Sequence, residues 1–214
     1  MRAVRWLLAI AIAAAICRLF PLFHIVPLKT VTAQKEAATF NPTNFAESFW
    51  SGQLSAAKGR AVKAEVLVPA IQTDAAAAKT NYSRTVGMSD AYFYFVSGTG
   101  RVLAVSDDEV SLAVTPGATN AEVALETGLV FGNAVRDGTG LLSANDYPNS
   151  QDFNDVSAAL NHIVETRVLP KLHEQAKVGV TVSFAGCAEV DDESSDLKPL
   201  KVIPIEATVQ GGSP

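Results

Sequence analysis

Residues 91 to 106 read Ala-Tyr-Phe-Tyr-Phe-Val-Ser-Gly-Thr-Gly-Arg-Val-Leu-Ala-Val-Ser, and this stretch decides the fold. Aromatic and β-branched residues crowd Ala91 to Ser97, the composition of a strand that packs on a pleated surface. Gly98-Thr99-Gly100 reads as a tight turn, with Arg101 to Ser106 returning as the second arm of a hairpin. Val110 to Thr115 alternates as a half-buried strand does, and Pro116-Gly117 turns the chain. Glu122 to Phe131 supplies another strand, with Gly128 a candidate bulge. Two more strands close the chain, Val178 to Ala188 and Leu200 to Val209.

Between the two groups of strands lies the strongest helical pattern. Phe153, Val156, Leu160, Ile163 and Val168 mark one apolar face of a helix near 150–170. Asn149 or Ser150 caps its start, Asp152 suits the first turn, and Pro170 kinks or ends it. Upstream, Asn41-Pro42 has the form of an N-cap followed by proline at the first helical position. Phe45, Phe49, Trp50 and Leu54 then recur at helical spacing to about Ala57, and Gly59 ends the run. Val62 to Ile71 reads as a second helix interrupted near Pro69, with Asp74 capping an Ala-rich turn. The expected class is α+β. Strands, one helix and two further strands follow the order of a five-stranded oligonucleotide/oligosaccharide-binding (OB) barrel. An antiparallel sandwich with a helix across one face fits the same order.

The N-terminus sets the address. Residues 6 to 28 are almost wholly apolar and follow Arg2 and Arg5, the layout of a signal peptide or membrane anchor. Trp6 to Ile16 matches a signal-peptide core, while extension through Leu28 reaches spanning length at the cost of Arg18, His24 and two prolines. Three fates are open: cleavage after Ala15 or Ala33, lipidation of Cys17, or retention as an anchor. Ile16 is a large residue where a lipobox wants a small one. The positive-inside rule leaves Arg2 and Arg5 in the cytoplasm and the bulk of the chain in the periplasm, anchored to the inner membrane. The organisation expected is a leader over 1–28, a polar spacer over 29–39, a helical part over 40–90 and a β-rich domain over 91–214.

Composition excludes several classes. A net charge of −5 with no basic stripe argues against a nucleic-acid partner. Cys17 and Cys187, the only two cysteines, make no disulfide framework, and Cys187 reads as a small buried hydrophobe. His24, His162 and His173 show no metal-ligand spacing, so neither a metal nor a cofactor is expected. Asp191 to Asp196 reads as a solvated turn.

Function, if it has a polar site, falls in Phe131 to Asn161. Arg136, Asp137, Asn145, Asp146, Asn149 and Gln151 offer the mix of donors and acceptors that a sugar or another small polar ligand needs. The same residues also serve as a structural ion pair, turn formers and helix caps. Enzyme readings are weaker. Asp137 with Asp146 would make a carboxylate pair, or Ser143 a nucleophile with His162 as base, but no nucleophile elbow or phosphate loop accompanies them.

Gly132-Asn133-Ala134-Val135-Arg136-Asp137, Ser143-Ala144-Asn145-Asp146-Tyr147, Asn149-Ser150-Gln151 and Leu160-Asn161 resemble the bacterial family of periplasmic lipoproteins filed as domain of unknown function 2291. Cys17 to Leu28 looks like that family's membrane-proximal sequence, and Pro199-Leu200 to Pro204 like its end. The resemblance implies an envelope protein whose gene accompanies sugar-type ATP-binding-cassette (ABC) importers, and it carries no catalytic residue onto this chain. Two functions follow: a non-enzymatic accessory touching an importer's permease or substrate-binding protein, or a direct binder of a sugar. A hydrolase is the weakest alternative.

Overall fold

The computed structural model describes Trp6 and residues 40 to 210 except Met88 and Pro148. The leader, the spacer, Cys17 and the cleavage positions Ala15 and Ala33 therefore lie outside the described residues, save for Trp6. The chain divides after Phe40, and the unit from Asn41 onward carries the fold. Among the described residues no helix is long and apolar enough to cross a membrane.

Helix α1 (Pro42–Phe49) starts where Asn41 Oδ1 accepts the Asn44 N–H, and it runs on through a π-helical stretch, Trp50–Leu54, to Ala57. A two-residue strand β1 (Val62–Lys63) leads into α2 (Ala64–Thr73), which Asp74 separates from α3 (Ala75–Tyr82) by capping the latter. Strand β2 (Arg84–Thr85) then precedes the barrel. Pro69 does not interrupt α2. Buried Leu67, Val68 and Ile71 hold that turn against the barrel, and packing outweighs the lost amide bond.

The expected hairpin at Gly98 is absent. Residues Tyr92–Val105 form one continuous strand, β3, that changes partners along its length. Its first part, Tyr92 to Arg101, pairs antiparallel with β6 (Thr181–Val190). Its second part, Arg101 to Val105, pairs antiparallel with β4 (Glu109–Ala113). β4 continues to β5 (Val123–Glu126), β5 pairs parallel with β7 (Leu200–Gln210), and β7 returns antiparallel to β6. That circuit is closed, so of the two expected arrangements the barrel is the one formed. Gly98 and Gly100 mark close approach rather than a turn. A Cβ at Gly98 would lie 2.7 Å from Ala64 Cβ, and one at Gly100 would lie 3.0 Å from Ala113 O. Gly128 falls just beyond β5, where its amide and that of Thr127 both donate to Asp108 O.

Tyr92, Tyr94 and Val96 alternate inward from β3 to meet Val102, Leu112, Leu125, Val182, Phe184 and Val202 in the barrel core. A helical layer covers part of the outside. A short helix α4 (Ala134–Asp137) is followed by α5 (Ser150–Ile163), which continues through a π-helical stretch, Val164–Val168, into α6 (Leu169–Gln175). Pro170 thus stands in the first turn of α6 rather than ending the helix, a position where its missing N–H is tolerated. Asp191 to Asp196 is a turn completed by the four-residue helix α7 (Glu193–Asp196), capped by Asp192 Oδ1.

Candidate functional site

The polar segment turns out to be a pedestal. Arg136 and Asp137 are buried neighbours on α4, 5 % and 3 % exposed. Arg136 Nε and Nη2 donate to the two carboxylate oxygens of Asp137, each at 2.8 Å. Its Nη1 donates to Phe153 O and Asn154 Oδ1, both at 3.2 Å, and the guanidinium lies 3.7 Å from the Phe153 ring centroid. A charge removed from water is tolerated only when paired and hydrogen-bonded this fully. The pair therefore ties α4 to the start of α5.

The other expected ligand residues do different work. Asn149 caps α5 by accepting the Asp152 N–H at 2.8 Å, and Gln151 donates to Asp155 at 2.7 Å. Asn145 and Asp146 lie exposed on the single 3-10 turn Ala144–Asp146. Among the described residues, none of these six lines the groove over the outer face of β3, β6 and β7 or any of four smaller clefts. Their contacts are those of an ion pair, a cap and a surface turn. Asp137 is buried against Arg136 while Asp146 is exposed. Ser143 Oγ accepts the Asn145 N–H, and exposed His162 has Nδ1 4.0 Å from Glu165.

What the pedestal supports is the loop from Thr127 to Asn133. The Thr127 and Gly128 amides donate to Asp108 O at 2.7 and 3.3 Å, and Val130 N donates to Glu165 Oε1 at 3.0 Å. Ser157 Oγ and Asn161 Nδ2 both donate to Gly132 O, at 2.9 and 3.1 Å. Asn133 N donates to Glu189 Oε2 at 3.1 Å, and burial raises the Glu189 pKa above the ordinary glutamate value. Gly132 sits at φ 76°, and a Cβ there would lie 2.9 Å from Glu189 Oε2, so only glycine fits without strain. Pinned at so many points, the loop holds Leu129 and Phe131 out in solvent, 77 % and 74 % exposed, on either side of buried Val130. Periodicity analysis overlooked this pair, because Glu122 to Phe131 read as a single strand whose apolar residues would be half buried.

A second feature is concave. A groove of about 850 Å³ lies over the outer face of β3, β6 and β7, lined also by Lys58, Lys63, Glu65, Val114 and Pro116. Sequence reasoning missed it, because its residues come from five distant segments and none forms a motif.

Closed pairing of five strands, with the helix between the third and the fourth, defines an OB-fold protein. The chain is similar to an OB-fold protein of known crystal structure from Thermotoga maritima, with 24 % identity and a TM-score of 0.70. The match covers 80 % of this chain and 99 % of that one, and at this identity it concerns the fold alone. No curated protein matches. A family model described as predicted periplasmic lipoprotein, domain of unknown function 2291, matches residues 8–208. The chain belongs to that family, which puts it in the cell envelope, on the periplasmic side.

Proposed function

We propose that this protein is a non-enzymatic, inner-membrane-anchored accessory of a sugar-type ABC importer. The knob of Leu129 and Phe131 docks on the permease or the substrate-binding protein. The observation that carries the reading is the exposure of two large hydrophobes on a backbone held by hydrogen bonds at Thr127, Val130, Gly132 and Asn133. A floppy apolar loop loses entropy on docking; a pinned one has already lost it, which is how preorganised anchors gain affinity. Large apolar side chains seated in a partner's pocket commonly carry most of an interface's energy. Two carboxylates stand at its base: Glu165 Oε1 accepts the Val130 N–H, and Asp108 Oδ1 lies 2.9 Å from where a Cβ on Gly128 would be. A partner socket with a basic rim is therefore favoured over an anionic lipid surface.

The test is co-purification from native membranes with the full chain tagged at its C-terminus. The wild type is expected to bring down an importer subunit. Leu129→Ser with Phe131→Ser is expected to lose it while the protein level is unchanged. Equal recovery of the subunit by both chains contradicts the reading.

A further inference from the structure

We propose that the groove over β3, β6 and β7 is a binding site for a neutral oligosaccharide. This site is separate from the docking knob and stands whether or not the knob engages an importer.

The argument starts from register. Thr99 of β3 pairs with Ser183 of β6, and Ser183 pairs with Thr208 of β7. Paired residues on adjacent strands share a face, so three hydroxyls line up across three strands on the outside of the barrel. Thr99 Oγ1 and Ser183 Oγ are 3.4 Å apart. The next row along is Ser97, Ala185 and Glu206, and the row on the other side ends in Gln210. Every side chain in the central row is short, and the longer Lys63 and Glu65 also line the groove. A hydroxyl offers one donor and two acceptor sites, and the Gln210 amide offers both kinds. Adjacent strands lie about 4.8 Å apart, so these groups repeat across the floor at a regular short interval, as the hydroxyls of a chain of sugar rings do.

Charge selects among polar ligands. Two lysines and two glutamates line the groove. Lys58 is already paired with Glu206, and Lys63 Nζ donates to Ser97 Oγ at 3.3 Å. The bonds leave no uncompensated cluster of one sign for an anionic or cationic ligand. Val114 and Pro116 add apolar surface to the lining, against which the carbon face of a sugar ring can pack. The volume also suits more than a monosaccharide: about 850 Å³ lies toward the upper end of small-molecule sites. A smaller cleft of about 230 Å³ extends the same surface past Thr99 to Arg101 and Thr181, lengthening the track.

The experiment uses the full chain in a detergent without a sugar headgroup. It is titrated by calorimetry with maltotriose, cellotriose, xylotriose and chitotriose, and with trigalacturonate as an anionic comparator. The expected result is saturable binding of at least one neutral trisaccharide and weaker binding of trigalacturonate. Thr208→Val keeps shape while deleting a hydroxyl and is expected to weaken binding about five-fold. Ser183→Trp fills the floor and is expected to abolish binding; an unchanged melting temperature in both variants shows that the fold persists. Lys171→Ala, at an exposed residue outside the groove, is expected to bind like the wild type. No binding across the panel, binding indifferent to both groove variants, or a preference for trigalacturonate overturns the proposal.

Discussion

The guanidinium of Arg136 closes a two-pronged pair on the carboxylate of its own chain neighbour, Asp137, with both contacts at 2.8 Å. Adjacent residues in a helix point in different directions, so this geometry needs both side chains to fold back over α4. Phe153 makes that possible. Its ring lies beneath the guanidinium and its carbonyl accepts a third hydrogen bond. The knob is presented by a helix pair locked in this way.

Removing one partner strands the other as a buried charge. Arg136→Ala is expected to lower stability by about 3–5 kcal/mol, as is Asp137→Ala. The double change Arg136→Met with Asp137→Leu, which removes both charges and keeps bulk, is expected to cost much less than the sum of the single changes. Urea unfolding of the four chains measures this. Additive losses would show that the two residues act separately.

Gly132 is a fixed point of the loop, its carbonyl held by Ser157 and Asn161. Gly132→Ala puts a β-carbon against Glu189 and strains a backbone at φ 76°. The expected cost is about 1–2 kcal/mol. Amide hydrogen exchange should also quicken at Val130 and Asn133, whose N–H bonds anchor the loop. Unaltered protection at those two amides would show that the glycine is dispensable.

Two glutamates titrate in opposite senses. Burial alone would raise Glu122, but hydrogen bonds from the Thr115 hydroxyl and from the Thr115 and Val114 amides hold its pKa below the ordinary value. The unfolded chain then takes up the proton first. The contribution of Glu122 is complete above the ordinary glutamate pKa of about 4.3 and is lost as the pH falls through the lowered folded value. Glu189 is raised by burial, so the folded chain holds its proton more tightly. Its effect on stability is greatest at acid pH and declines as the pH rises from the ordinary value through the raised one. Glu122→Gln should flatten the acid limb of the stability profile, and Glu189→Gln should remove the decline above it. Denaturant midpoints followed from about pH 3 to 7 separate the two. A wild-type acid limb in Glu122→Gln would contradict the assignment.

Cys187 is buried at 0 % exposure, and burial pushes its thiol pKa up to about 12. It is expected to resist iodoacetamide at pH 8 in the folded protein and to react fully in denaturant, counted by mass in a Cys17→Ser background. Ready alkylation of the native chain would show that α4 does not cover it.

The barrel was largely legible in the sequence, and the reasons are physical. Alternating apolar residues at Val110 to Ala113 and in the last two strands mark the core face directly. The Asn41 and Asn149 caps are local events, fixed by side chains three residues from the amides they meet. Gly98-Thr99-Gly100 misled because glycine has two uses. A turn needs its φ freedom, whereas this strand needs its missing side chain, to pass close to Ala64 and Ala113. Only the folded neighbour distinguishes them. Pro69 misled for a related reason, since burial of the turn around it outweighs a lost amide bond, and Pro170 because it falls in a first turn.

The candidate site was less legible. Arg136 and Asp137 stand out in any reading, but whether such a pair faces a ligand or each other depends on Phe153 and Asn154, some seventeen residues away in the chain. Leu129 and Phe131 look like core residues, because exposure is a property of the pinned loop and not of the residue types. The hydroxyl row Thr99, Ser183 and Thr208 exists only once the register of three strands is known.

The most direct test places a photoreactive phenylalanine analogue at position 131 and irradiates intact cells, with the same analogue at exposed Lys177 as the comparison. The account predicts an adduct at position 131, identified by mass spectrometry as an importer permease or substrate-binding protein, and none at position 177. No adduct at 131, or one with an importer subunit formed equally well at 177, would contradict it.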